Sequence, residues 1–195
     1  MKKYKINEIF YSLQGEGFFT GKPSIFIRFS GCNLKCPFCD TDHVPYKVMT
    51  TEEIIDEVNK YPATHVVLTG GEPSLWVDPD LIEALKECGN FIAIETNGTH
   101  SIPDNIDWIT LSPKFEFSGE EVELKIKKCN ELKVVFNGQD LSVYDDIEAK
   151  HYFLQPCDFG NPKINAGITK KAIETCMEFP KWRLSLQTHK LTGIR

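Results

Sequence analysis

His65-Val66-Val67-Leu68-Thr69-Gly70-Gly71-Glu72-Pro73 decides the fold of this chain. A short apolar run passes straight into a Gly-Gly turn that carries a carboxylate and stops at a proline. Asp78-Pro79 then supplies an N-cap with proline at the first helical position. Leu81, Ile82 and Leu85 make the stripe of an amphipathic helix, and Gly89 suits its C-terminal stop. Strand, turn and helix in that order form a βα unit. A strand this uniformly apolar is what a parallel sheet covered on both faces requires.

The same alternation extends in both directions. Ser24–Phe29, Phe91–Ile94, Trp108–Leu111, Leu132–Phe136, Tyr152–Leu154 and Arg183–Leu186 read as further strands. Between them, Thr50-Thr51-Glu52-Glu53 can form a capping box ahead of Ile54, Ile55 and Val58. Thr169 is the expected cap of a later helix with Ile173, Cys176 and Met177 facing inward. Alternating strands and helices imply a parallel sheet. The 195 residues fall short of the roughly 250 of a full eight-unit barrel, and the stretch from Pro113 to Lys128 is poorly patterned. The expected fold is therefore α/β: an open partial (β/α) barrel of mainly parallel strands, with fewer helices than strands, in one domain over residues 1–195.

Composition narrows the function. Hydrophobic content of 41% and charged content of 26% are those of an ordinary globular chain. A net charge of −6 gives no electrostatic footprint for nucleic acid. No stretch approaches the roughly 20 apolar residues of a membrane span. The basic start Met1-Lys2-Lys3 leads into no apolar run of the signal-peptide kind. A small-molecule substrate, a cytoplasmic location and no nucleic-acid or membrane partner are expected.

Cys32-Asn33-Leu34-Lys35-Cys36-Pro37-Phe38-Cys39 gathers three of the seven cysteines directly after a strand. Tight spacing in an intracellular chain favours metal over disulfides. Zinc, with His43 as fourth ligand, is one reading. The other is a four-iron, four-sulfur cluster held at three irons, whose fourth iron is open to a small molecule; electron-transfer clusters take four cysteines instead. Cys88, Cys129, Cys157 and Cys176 are scattered and read as core thiols or bystanders.

Ligands of parallel α/β sheets bind at the carboxyl ends of the strands. Four polar loops follow strands there: Thr69–Pro73, Glu95–Gly98, Ser112–Lys114 and Gln155–Asp158. The paired glycines of the first would let backbone approach a ligand, with carbonyls and Glu72 free to accept from an ammonium. Arg28, inside the strand before the cysteines, is expected near the metal site with an acidic substrate as its partner. Leu184–Lys190 reads as a last strand that delivers Gln187 and His189 to the same rim.

The cysteine spacing and Gly-Gly-Glu-Pro resemble the radical S-adenosylmethionine enzymes. Adding Gln14-Gly15-Glu16-Gly17, Arg28, Cys39-Asp40-Thr41, Glu95–Gly98, Ser112–Lys114, Gln155–Asp158 and Leu186–His189, the chain resembles the 7-carboxy-7-deazaguanine synthase family over nearly its whole length. The resemblance implies a radical SAM type of barrel and a lyase that turns 6-carboxy-5,6,7,8-tetrahydropterin into 7-carboxy-7-deazaguanine with loss of ammonia, on the way to queuosine. It implies a 4Fe-4S cluster on Cys32, Cys36 and Cys39, and a magnesium ion on Thr41. S-adenosylmethionine is assigned to Phe38, Cys39, Asp40, Gly71, Glu72, Glu95, Asn97, Ser112, Pro113, Lys114, Gln155, Pro156, Cys157 and Asp158. Substrate is assigned to Leu13, Gln14, Gly15, Glu16, Arg28, Thr69, His189 and, through the backbone of a tail without helix or strand pattern, Arg195. A flavodoxin or ferredoxin as electron donor and a homodimer are implied as well. The alternatives are a radical-generating activase acting on a partner protein, and an electron carrier or scaffold without chemistry of its own.

Overall fold

A computed structural model describes residues 2–39, 41–42, 45–115, 117 and 123–195. Nine strands form one sheet: β1 (Tyr4–Leu13), β2 (Pro23–Phe29), β3 (Lys47–Met49), β4 (His65–Gly70), β5 (Phe91–Thr96), β6 (Trp108–Leu111), β7 (Lys128–Phe136), β8 (Glu148–Pro156) and β9 (Trp182–Leu184). Their order is β3-β1-β2-β4-β5-β6-β7-β8-β9. From β2 to β9 every pairing is parallel. β1 is antiparallel to both β2 and β3. With α1 (Thr51–Val58), α2 (Pro79–Glu87), α3 (Pro162–Glu178) and the short α4 (Thr188–Thr192), the described helices are fewer than the strands. This is the expected open partial barrel.

Strand periodicity sorts the side chains into two faces. Ile25, Ile27, Val66, Leu68, Ile92 and Ile94 pack in one cluster with Ile54 and Val58 of α1 and Leu81, Ile82 and Leu85 of α2. Fully burying each such aliphatic side chain contributes about 1.5–3 kcal/mol. Leu132, Val134, Leu154 and Trp182 pack in a second cluster with Ala172 of α3. The residues between them face the other way. Phe26, Val67 and Ala93 form a small apolar cluster with Phe10, and Arg28, Thr69, Glu95 and Lys133 follow them toward the carboxyl ends of their strands.

The helix starts of α1 and α2 are those the residues dictate. Thr50 and Glu53 make a reciprocal capping box, and Asp78 accepts from the Leu81 amide behind Pro79. Gly89 takes a φ of 82° just past α2. Four expectations need correction. β1 was not anticipated, because a bulge between Ile6 and Glu8 breaks its alternation. β3 is a three-residue edge strand with no pattern to read. The third long helix starts at Pro162, capped by Asn161, whose Oδ1 accepts from Lys163 and Ile164. Thr169 lies inside it and donates to the Asn165 carbonyl at 2.8 Å, Ala172 is the buried residue, and Met177 is 78% exposed. Finally, β9 ends at Leu184, and Thr188–Thr192 is a helical turn, so the tail is neither a strand nor patternless.

Asn161→Ala is expected to cost about 1 kcal/mol by urea unfolding, the usual cost of a lost N-cap. Thr169→Ala should stay within about 0.5 kcal/mol of the parent protein.

Candidate active site

Two adjoining clefts lie at the carboxyl ends of the strands. The larger, about 610 Å³, is lined by Leu13, Gln14, Gly15, Glu16, Arg28, Thr41, Thr69, His189 and Arg195 among others. The smaller, about 230 Å³, is lined by Cys32, Cys36, Phe38, Cys39, Gly71, Glu72, Asn97, Ser112, Lys114, Gln155, Pro156, Cys157 and Asp158. Glu16, Thr69, Gly70, Glu95, Gln187 and Lys190 border both, so the two share a wall. The structure thus sorts the two residue sets into neighbouring spaces. Pro113 is buried and lines neither cleft. Asp40, and His43 of the zinc reading, lie outside the described residues.

The cysteine segment is seated by the loop after β4. Gly71 N–H donates to the Phe29 carbonyl at 3.0 Å and Glu72 N–H to Gly31 at 2.9 Å. The Trp76 indole donates to Ser30 at 2.8 Å. A Cβ on Gly71 would come 2.0 Å from the Gly31 carbonyl oxygen. The glycine is therefore required by the backbone just before Cys32, and it also lines the smaller cleft. Glu72 also serves the scaffold. It is buried, with Oε1 accepting from Thr96 Oγ1 (2.6 Å) and Ser74 N–H (3.0 Å) and Oε2 from Asn97 N–H (2.7 Å). Its carboxylate ties the loops after β4 and β5 together.

Cys32 and Cys36 are half-buried and Cys39 is exposed. Burial pushes the Cys32 and Cys36 thiols above their usual range, with Lys114 working against this at Cys36. As thiolates they would need a cationic centre beside them. The Leu34 amide already points at Cys32 Sγ, at 3.4 Å. Three thiols on one cleft wall are a donor set suited to an iron–sulfur cluster. Among the described residues no three His, Cys, Asp or Glu side chains converge on a single ion.

Around the smaller cleft, Lys114 donates to the Ser112 hydroxyl and carbonyl at 2.6 and 2.8 Å. Burial lowers its ammonium from the ordinary lysine range, against the pull of Cys36. Asn97 spans Asn33 and Thr99. Asp158 accepts from Lys190 at 2.9 Å and from Gly160 and Asn165, which hold its carboxyl at about 2. Burial pushes the Cys157 thiol up to about 11, so it stays protonated.

The larger cleft is closed by a seam between the turn over residues 14–22 and the C-terminal segment. Thr188 donates to the Gly15 carbonyl from both its amide and its hydroxyl, at 3.0 and 2.9 Å. Gly17 N–H donates to Ser185 Oγ at 2.9 Å, and Gln187 Nε2 to Glu16 at 2.9 Å. Ser12 Oγ donates to the Arg195 carbonyl at 2.6 Å. Arg28 lines this cleft together with Thr41. The Arg28 Nε pairs with Glu8 at 2.9 Å, and the other Glu8 oxygen pairs with the Arg195 guanidinium.

Lys133 and Glu131 went unnoticed in the sequence because each is a charged residue inside an apolar run. Lys133, 3% exposed, donates to Glu16 and Glu95 at 2.6 Å each. Burial works to lower its ammonium, but Glu16, Glu95 and Glu131 together raise it well above the usual lysine range. Burial likewise works to raise Glu16, yet Lys133, helped by Gln187 and His189, holds its carboxyl at about 2. The available signal was the period of two: Glu131, Lys133 and Val135 alternate with the apolar Leu132, Val134 and Phe136.

A model of the Radical SAM superfamily matches residues 26–111, from within β2 to the end of β6. That defines the class of protein. Over 191 residues the chain is 57% identical to the 7-carboxy-7-deazaguanine synthase of Bacteroides thetaiotaomicron, with 98% of each chain covered. It is 41% identical to the enzyme of that name from Haemophilus influenzae, covering 98% of this chain and 94% of the other. The crystal structure of QueE from Escherichia coli superposes with a TM-score of 0.79 at 32% identity, covering 94% and 93% of the two chains. The chain belongs to the 7-carboxy-7-deazaguanine synthase family. Membership of the radical SAM superfamily implies a 4Fe-4S cluster and S-adenosylmethionine as cofactors.

Glu131 gives this interior a pH dependence. Its carboxyl is pushed up to about 7 by burial, with Glu95 adding and Lys133 opposing. The folded protein keeps a proton that the unfolded chain releases near its ordinary carboxyl pKa. That stabilisation is complete at low pH and declines as pH rises toward 7. Glu131→Gln keeps the shape without the titration. Its stability relative to the parent should rise by about 2 kcal/mol between pH 5 and pH 8, measured by urea unfolding.

Proposed function

We propose that this chain converts 6-carboxy-5,6,7,8-tetrahydropterin to 7-carboxy-7-deazaguanine with release of ammonia, for queuosine and related 7-deazapurines. The observation that carries the reading is that the two clefts adjoin and share lining residues. The three thiols line one, Arg28 and Glu16 reach the other, and Glu95 and Lys190 border both. When bound, the cluster and S-adenosylmethionine would supply one electron and a carbon radical able to take a hydrogen atom. Everything else falls to side chains of this chain.

Cys32, Cys36 and Cys39 would hold the cluster. The loops ending β4, β5, β6 and β8 would hold S-adenosylmethionine, with Asn97, Ser112, Lys114, Gln155 and Asp158 as polar contacts. Arg28 would take the substrate carboxylate, exchanging its present contact with Glu8. Gln14 and Glu16 would take the guanine-like edge of the pterin, and His189 would close the cleft from the C-terminal side. Thr41 lines the same cleft as Arg28. A magnesium ion there would draw its remaining oxygens from substrate and water, as that ion commonly does. A polar cleft of about 610 Å³ suits a bicyclic molecule better than the peptide of an activase. A single domain, a cytoplasmic location, a flavodoxin- or ferredoxin-like donor and a homodimer complete the reading.

The test is anaerobic reconstitution with iron and sulfide, then product analysis with the carboxypterin and S-adenosylmethionine. Formation of 7-carboxy-7-deazaguanine is expected, and its absence from a fully reconstituted protein would sink the assignment. Cys36→Ala should abolish the cluster absorbance, whereas Cys88→Ala, at an exposed thiol, should leave it intact. Arg28→Lys keeps the charge and loses the planar fork that grips a carboxylate. It should raise KM by about tenfold while cluster content stays unchanged, the size of one charge-assisted hydrogen bond.

A further inference from the structure

Lys133 sits in a closed ring of hydrogen bonds inside the barrel. Its Nζ donates to Glu16 Oε2 and Glu95 Oε2, each at 2.6 Å. Gln14 Nε2 donates to the other Glu95 oxygen at 2.9 Å, and the Glu16 amide donates to Gln14 Oε1 at 3.2 Å, which closes the ring. Gln187 Nε2 donates to the second Glu16 oxygen at 2.9 Å. The lysine side chain is 4% exposed, against 17% for Glu16 and 22% for Glu95. Both acids border the two clefts, whereas the far less exposed ammonium borders only the smaller one.

An ammonium has donors and no acceptor. The acid oxygens that face it at 2.6 Å can only accept, and the second oxygen of each acid accepts as well, from Gln187 at Glu16 and from Gln14 at Glu95. The ionised carboxylate, which has no proton to donate, is the form that fits. The ring thus sets the direction of every hydrogen bond that these two side chains can offer a ligand. We propose that Lys133 is a positioning residue that keeps Glu16 and Glu95 acceptor-only, so that the cleft takes a heterocycle edge of adjacent N–H donors and turns away one carrying a carbonyl oxygen there. An aminopyrimidinone edge, with its ring N–H and amino group, is of the first kind. A pyrimidinedione edge puts a lone pair against the carboxylate, with no proton between them. A buried polar group left unpaired in this way is costly, and it gives a site strong discrimination. The inference rests on the pterin reading above and deepens it.

The charges around the ring are Glu131 on the same face of β7, Lys114 after β6 and His189 on α4. Lys133 attracts Glu16 and Glu131 alike, and His189 adds a smaller pull on Glu16. Without Lys133, burial of Glu16 would be opposed mainly by Gln187 and His189. Its carboxyl would take up a proton within reach of neutral pH, and the affinity for a donor edge would weaken on the acid side.

The test uses the full chain carrying its cluster, with S-adenosylmethionine present, titrated calorimetrically with two stable probes. These are 6-carboxypterin and 6-carboxylumazine, which differ in an amino group against a carbonyl oxygen. The parent protein should prefer the pterin by at least about tenfold. Lys133→Met should reduce that preference severalfold, and its pterin affinity should rise with pH relative to the parent between about pH 5.5 and 7.5. Lys133→Arg should keep both parental properties. Parental preference and pH profile in Lys133→Met would overturn the proposal, as would a folded Lys133→Arg that behaves like Lys133→Met. Should Lys133→Met not fold, Glu16→Gln carries the test, since an amide can serve either edge. It should bring the two probes within a few fold of each other, and a retained preference would overturn the proposal. A parent protein that binds neither probe would overturn the pterin reading itself, and one that binds both equally would overturn this inference alone.

Discussion

A charge removed from water has to be matched where it lies, and Lys133 is matched by two carboxylates from distant parts of the chain. Glu95 comes from the neighbouring region of the sheet and Glu16 from the turn between β1 and β2. Removing one partner of such a buried pair costs about 3–5 kcal/mol, because the other charge remains. The pairing therefore pins residues 14–22 against the concave face of the sheet. From there the turn reaches the C-terminal segment through Gly15, Glu16 and Gly17. A parallel sheet that stops at β9 has an open side, and this turn helps to close it.

Gly17 shows how little freedom the closure leaves. Its φ is 65°, and a Cβ there would fall 1.9 Å from Glu131 Oε1. The Glu131 carboxyl in turn accepts from Phe18 N–H and Thr110 Oγ1. On the opposite wall Glu72 fastens the loops after β4 and β5, and the Gly71 backbone lies against Gly31. Polar side chains bonded to one another thus give shape to a site whose walls are loops. The apolar clusters beneath α1, α2 and α3 hold the strands that carry those loops.

Much of this could be read from residues close together in sequence. Runs such as His65–Leu68 and Phe91–Ile94 declared a parallel sheet, and Thr50–Glu53 and Asp78-Pro79 marked helix starts by local hydrogen bonding. The strand-end rule placed most of the site on one rim. Local signals failed where the deciding contact was remote. Asn161 rather than Thr169 caps α3, because the helix extends over polar residues that face away from the sheet and so hide its start. β1 owes its place to pairing with β2 and β3, across a bulge that disrupts its pattern.

The sequence by itself determined the alternation of β2, β4 to β8 and the helices α1 and α2, the three clustered thiols and the polar loops, because periodicity, caps and motif spacing are properties of neighbouring residues. Tertiary structure alone decided what the charges do. Nothing near Lys133 in sequence says that it meets Glu16, 117 positions away, or that Arg28 and Arg195 share Glu8. It also decided that Glu72 is spent on Thr96 and Asn97, and that Gly71 answers to the Gly31 backbone. The physical reason is that burial and charge pairing depend on distance in space, and space is set only when the sheet has curved and its open side has closed.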